Sequence, residues 1–200
     1  MTTRQENALK TRKKLLDVTN ALIKEKGFYN LSVMDITQRA NVATGTFYTY
    51  FKHKEEIALE ICKNLFKETQ LKLEQNKNSG ITQRLCLYFE CFIKEVQSYK
   101  LHIVSEWIKG LVEQNQRNES MGNIKWQYDF EMLKNIISKS VENKELKSDT
   151  PIDILCEIIL TQMYGMLTVW CMSDGDFNPE NTVKEFCEIQ LKVIIGKYLI

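Results

Sequence analysis

Turn-forming residues are scarce in this chain: its 200 residues include two prolines and eight glycines. A many-stranded fold needs a turn at every strand end, so the shortage disfavours one. Long Lys/Glu/Leu/Ile stretches with few breakers instead predict helices throughout, an all-α fold. Histidine occurs only at His53 and His102, neither of them at helical spacing from a second ligand, so no metal site is expected. The six cysteines form no C-x-x-C pair. Cys86 and Cys91 would lie about 140° apart around a helix, and buried reduced thiols in a cytoplasmic protein are the expected state. The N-terminus lacks the charged-then-apolar pattern of a signal segment. No Gly-rich phosphate loop, nucleophile elbow or paired-carboxylate motif is present, so no enzyme activity, catalytic residue or cofactor is expected. The one long apolar run, Ile154 to Met172, is interrupted by Glu157 and Gln162 and diluted by Cys156, Gly165 and Thr168. It reads as a buried helix of a bundle rather than a membrane span.

Net charge is almost absent as well, at +1, but the average conceals an uneven distribution. Residues 1–54 carry 10 basic and 4 acidic side chains, a balance of +6, and residues 55–200 carry 17 and 22, a balance of −5. A basic part joined to an acidic one points to a polyanionic partner for the basic part.

What is present is helical periodicity. Residues 5–26 form one helix with Leu15, Val18 and Leu22 on a stripe, stopped by Gly27. Ser32-Val33-Met34-Asp35 resembles a capping box and opens a short helix that ends at Asn41, a residue tolerant of positive φ. A second short helix covers about 44–51, so the pair forms a helix-turn-helix. A long helix then runs to about Gln75, followed by helices over 81–98, 101–112, 118–143, 152–173 and 179–198. Thr150-Pro151 and Asn178-Pro179 each set a capping side chain before a proline. Nine helices result, divided near residue 54 into a segment 1–54 and a larger segment 55–200.

The run from Ser32 to Glu55, with Gly45-Thr46-Phe47-Tyr48-Thr49-Tyr50-Phe51 and Lys54-Glu55 at its end, resembles the DNA-binding signature of TetR-family transcriptional regulators. The likeness spans residues 9–60 in outline and 32–55 closely. Asn41 replaces the usual glycine of the turn, and Asn is the next best residue at positive φ. A recognition helix shows its first residues to base edges while flanking groups hold phosphates. Thr44 and Thr46 suit phosphate oxygens and thymine methyls, Gly45 permits close approach, and Tyr48, Tyr50 and Lys54 supply long polar arms. The resemblance implies that Thr46, Tyr48, Tyr50 and Lys54 lie against DNA. With Ser32 at the start of the preceding helix, the DNA-facing set is Ser32, Thr44, Gly45, Thr46, Tyr48, Tyr50 and Lys54, whereas Phe47 and Phe51 fill the core. Few bidentate base readers stand on the recognition helix, so apolar contacts and DNA shape carry much of the specificity.

The resemblance further implies that residues 55–200 bind a small-molecule effector and dimerise through the last two helices, four of which form a bundle in the dimer. Two apolar faces on the 152–173 helix agree with this: Ile152, Leu155, Ile159, Met163 and Met166 on one, and Ile154, Ile158, Leu167 and Trp170 on the other. Gly165 in mid-helix suits close helix approach. Phe66, Phe89, Trp107, Tyr128, Met163 and Trp170 are the candidates for lining an effector cavity. Glu90, Glu106 and Glu157 would favour a cationic ligand if buried. The implied protein is a homodimeric repressor that binds a palindromic operator in double-stranded DNA and is released by an effector, with the 55–75 helix as lever. The alternatives are a protein-docking module of the same fold and an effector-independent DNA-binding protein.

Overall fold

The computed structural model describes residues 2–112 and 121–200, with side chains described outside 110–124. Its helices are α1 (Thr3–Lys26), α2 (Val33–Arg39), α3 (Thr44–Tyr50), α4 (Lys54–Gln75), α5 (Ile81–Gln97), α6 (Leu101–Val112), α7 (Met121–Glu142), α8 (Ile152–Met172) and α9 (Pro179–Phe186). The last helix continues through a π-helical turn, Cys187–Leu191, into α10 (Lys192–Gly196). Among the described residues there is no strand, only an isolated bridge between Leu146 and Leu199. The expected start of the seventh helix at 118 lies outside the described residues.

The chain divides into two compact units, Met1–Leu65 and Phe66–Ile200, with α4 running unbroken past the division. In the first unit, Leu15, Leu22, Leu31, Ile36, Ala40, Phe47, Phe51, Ile57 and Ile61 form one buried cluster. Gly27 ends α1 at φ 80°, and Asn41 takes φ 50° in the turn between α2 and α3, where its short polar side chain is tolerated. The Ser32–Asp35 capping box is complete. The Asp35 amide donates to Ser32 Oγ at 3.1 Å, and Asp35 Oδ2 accepts from the Ser32 amide at 2.8 Å and from its hydroxyl at 2.5 Å. Asp is short for this reciprocal bond, but the Lys26 ammonium, 2.8 Å from Asp35 Oδ1, holds the carboxylate in place.

In the second unit α5, α7, α8 and α9 surround a larger core. Arg84 is buried there, donating to Ser140 Oγ at 2.8 Å, Glu145 at 2.7 Å and the carbonyls of Lys77 and Ser79. Both ends of the 76–80 break and the end of α7 are thereby tied to one guanidinium. The chain end is fastened to the α7–α8 loop by the Lys147 amide, which donates to the Tyr198 carbonyl at 2.9 Å.

Three expectations are corrected here. Thr150 does not cap α8: Pro151 is itself the N-cap, its carbonyl accepting from the Leu155 amide, and the Thr150 hydroxyl donates to the Lys147 carbonyl at 2.6 Å. The last helix is not regular across 179–198, because one extra residue per turn at Cys187–Leu191 resets its phase. The second apolar face of α8 is composed differently. Leu167 lies about 180° from Ile158 and is fully buried, while Ile154, Ile158, Val169 and Met172 are exposed.

Candidate nucleic-acid interface and effector site

Helix α3 is pinned by alternate aromatics. Phe47 and Phe51 are buried, their ring centroids 5.6 Å apart, and they fix the helix against α1 and α2. The other side is presented outward: Thr44, Gly45 and Thr49 are exposed, and Tyr48 is 56% exposed, held edge-on by Phe47 at 5.5 Å. Thr46 is half-buried. A Cβ built at Gly45 would meet nothing within 4 Å. The chain's own packing therefore does not require glycine at that position, and any close approach there comes from outside. Tyr50 is half-buried and packs on the first unit's core. Ser32 is exposed, its hydroxyl engaged in the capping box.

Lys54 is placed less freely than its sequence position suggests. Its ammonium donates to the Leu31 carbonyl at 2.9 Å and the Phe28 carbonyl at 3.3 Å, and stands 4.7 Å from the Phe28 ring centroid. An ammonium has three donors, and two are spent fastening the start of α4 to the loop before α2. Lys10, Lys13, Lys14 and Lys52 remain exposed in the same unit. Others are engaged: Arg12 forks onto Glu60, and Arg39 onto Glu25 at 2.5 and 2.7 Å.

Three of the six effector-site candidates come together in the second unit. Phe66 stacks on Tyr128 (centroids 5.0 Å apart, interplanar angle 24°), and Trp107 lies 5.9 Å from Tyr164. The Lys125 ammonium stands among these rings, 4.4 Å from Phe92, 5.3 Å from Phe66 and 5.8 Å from Trp107. The other three sit in different surroundings: Phe89 packs on Phe186 at 5.0 Å, Met163 is fully buried, and Trp170 is half-buried beside Gly175.

The acid at the aromatic group is none of Glu90, Glu106 and Glu157, for each of which a solvated position is the better expectation. Glu106 and Glu157 are exposed and Glu90 is half-buried. Asp129 is buried, and its carboxylate accepts from Tyr88 Oη at 2.6 Å, Tyr164 Oη at 2.7 Å and Lys125 Nζ at 2.8 Å. Burial first, and then the Asp129 charge, push both phenols well above their ordinary range, so they stay protonated and donate. Sequence reasoning passed over Asp129, but a signal existed. Asp129, Leu133, Ile136 and Ser140 recur at helical spacing on one face of α7, and an acid in phase with an apolar stripe is out of place unless partnered.

Among the described residues no group of three or more His, Cys, Asp or Glu side chains is placed to hold a metal ion. None of the six cysteines is in a disulfide; Cys156 and Cys187 are buried as expected, whereas the other four are only half-buried. A polar cleft of about 80 Å³, lined by Gln70, Glu74, Arg84 and Lys139 among others, lies apart from the aromatic group. It is well below the roughly 300 Å³ at which small-molecule sites begin.

The sequence pattern of the family described as "Bacterial regulatory proteins, tetR family" matches residues 15–61. The fatty acid metabolism regulator protein of Bacillus subtilis (strain 168) is 24% identical over 171 residues, covering 82% of this chain and 85% of that one. A transcriptional regulator of Aquifex aeolicus VF5 superposes with a TM-score of 0.62 at 26% identity, covering 92% of this chain and 99% of that one. FadR of Bacillus subtilis, solved in complex with stearoyl-CoA, superposes with a TM-score of 0.64 at 21% identity, covering 88% and 96%.

Proposed function

We propose a mechanism that starts from one premise: the chain belongs to the TetR family of transcriptional regulators. It is a ligand-responsive regulator of transcription, built on an all-α fold with an N-terminal helix-turn-helix. In our reading it is a cytoplasmic repressor. Residues 1–54 bind a palindromic operator, and residues 55–200 dimerise and take up the effector.

The observation that carries this reading is the two-sided character of α3. Phe47 and Phe51 anchor the helix, leaving Thr44, Gly45, Thr46 and Tyr48 on its accessible side. On DNA, Thr46 and Tyr48 meet the major groove, and Gly45 lets the helix backbone come close to the duplex. Tyr50 and Ser32 flank it toward the phosphates. Lys54 offers its third donor to a phosphate while the other two hold the α2 entry loop. The exposed lysines of α1 add a sequence-independent attraction.

Two chains pair through α8 and the last helix. The exposed positions Ile154, Ile158, Thr161, Gly165, Val169 and Met172 recur every three or four residues along α8. Ile189 and Val193, four residues apart, are likewise exposed on the last helix. The Gly165 position has open space above it, where a partner helix can approach closely. Two-fold pairing of chains then matches the two-fold symmetry of the operator. An effector that prefers the conformer with misspaced recognition helices lowers operator affinity, with α4 as the connecting element.

The reading is tested by titrating labelled duplex, at fixed salt, with the parent protein and with Thr46→Ala and Tyr48→Ala. Each variant should lose about tenfold or more in specific affinity, corresponding to ~1–3 kcal/mol for a lost base contact, with unchanged helical circular dichroism. Parent-like affinity in both would remove α3 from the interface.

A further inference from the structure

The Lys125–Asp129 pair has the layout of a binding site already filled from within the chain. Asp129 is 1% exposed at its side chain, and its two phenolic partners donate without carrying charge. A buried carboxylate in this state needs a cation. The cation it has is the ammonium of Lys125, ringed by Phe92, Phe66 and Trp107. Tyr164 completes the surround, lying 6.0 Å from Phe92 and 5.9 Å from Trp107. Three aromatic faces around one positive charge, with an anion behind it, is the chemistry that recognises organic ammonium groups.

Lysine is a poor occupant of such a box. Its ammonium is compact and strongly hydrated, it sits on a flexible four-carbon stem, and the side chain here is still 22% exposed. The stem can therefore turn outward and return the ammonium to water. A bulky organic cation is weakly hydrated, loses less on entering an apolar box, and offers more surface to the rings. An anionic headgroup in the same place would face Asp129 directly or take Lys125 from it, leaving a buried charge unpaired.

We propose that the aromatic box of Phe66, Phe92 and Trp107, backed by Asp129, is the effector headgroup site, and that it selects a lipophilic organic cation which displaces the Lys125 ammonium. This rests on the ligand-responsive regulator reading, and it assigns the effector's charge class.

The test compares two near-isosteric probes of opposite charge, tetraphenylphosphonium and tetraphenylborate, on the intact dimer. Binding is followed by calorimetry and by quenching of tryptophan fluorescence, since Trp107 lines the box. The phosphonium should bind at least tenfold more tightly than the borate. Lys125→Met, which removes the internal competitor, should raise phosphonium affinity about tenfold, and Asp129→Asn should lower it by a similar factor. If Asp129→Asn does not fold, Phe92→Leu replaces it, with the same expected direction. Tighter binding of the borate or of stearoyl-CoA, or a Lys125→Met variant with parent affinity for the phosphonium, overturns the proposal.

Operator affinity, measured separately on the same samples, distinguishes the two claims. Operator binding with no phosphonium binding sinks the cation site and leaves the regulator reading standing. Phosphonium binding that leaves operator affinity unchanged keeps the site as a cation binder and overturns its role as the effector site.

Discussion

Lys54 holds the fold together, and in the proposed function it serves the DNA interface as well. Its bonds to the Phe28 and Leu31 carbonyls are charge-assisted and part-buried. Lys54→Ala should therefore lower stability by about 1.5–3 kcal/mol, read as a shift in the denaturant midpoint. The same variant should shallow the salt dependence of DNA binding by about one unit of slope per half-site. A stability loss with an unchanged slope would make Lys54 a structural tie alone. Asp35 gives a second residue-scale prediction. Hydrogen bonds from Lys26 and then Ser32 hold its carboxyl well below the usual range. The associated stability is present in full above the ordinary carboxylate pKa of about 4, and is lost as the pH falls from there through the depressed folded value. Asp35→Asn should thus be less stable than the parent at pH 7, and the difference should shrink steadily in melts below pH 4. A gap that stays constant with pH would contradict the sign of the shift.

At the scale of elements, the sequence showed most where short-range rules decide the outcome. The end of α1, both ends of α2, the end of α4 and the start of α5 follow from Gly27, Ser32, Asn41 and the 76–80 break, because caps and turns depend on a few neighbouring residues. At Thr150-Pro151 the threonine hydroxyl bonds back to Lys147 instead of capping α8, and the π turn at Cys187–Leu191 sets Cys187 and Leu191 in the core. Neither leaves a mark in local spacing. The Asp129 group was missed for a related reason. Lys125 stands one turn from Asp129 on α7, but Tyr88 and Tyr164 come from α5 and α8, and only the folded chain brings them to that carboxylate. The outward stripe of α8 supports a prediction with opposite signs in one variant. Gly165→Leu should favour the helix itself, since glycine is about 1 kcal/mol worse than a good helix former, and an added Cβ meets nothing within 4 Å. In the proposed dimer, however, it would stand where a second helix approaches. Sedimentation should therefore show a folded 23.5 kDa monomer with DNA affinity reduced by a hundredfold or more, as half-site binding would give. A Gly165→Leu protein that remains dimeric would place the interface elsewhere.

For the molecule as a whole, the uneven charge and the two compact units suggest a division of labour. The first unit carries an α3 with one side buried and the other exposed, and the larger unit holds an internal cation in an aromatic box beside a buried acid. Operator recognition by a dimer is the claim on which the rest depends. It is tested most directly by selecting bound sequences from a pool of random duplex DNA, with protein shown to be folded and dimeric, at roughly physiological salt where weak nonspecific attraction is screened. The expected result is enrichment of a palindromic motif with two half-sites at a fixed spacing, lost in Tyr48→Ala. No enrichment from such protein would contradict it, and would make the helix-turn-helix a surface for docking another protein.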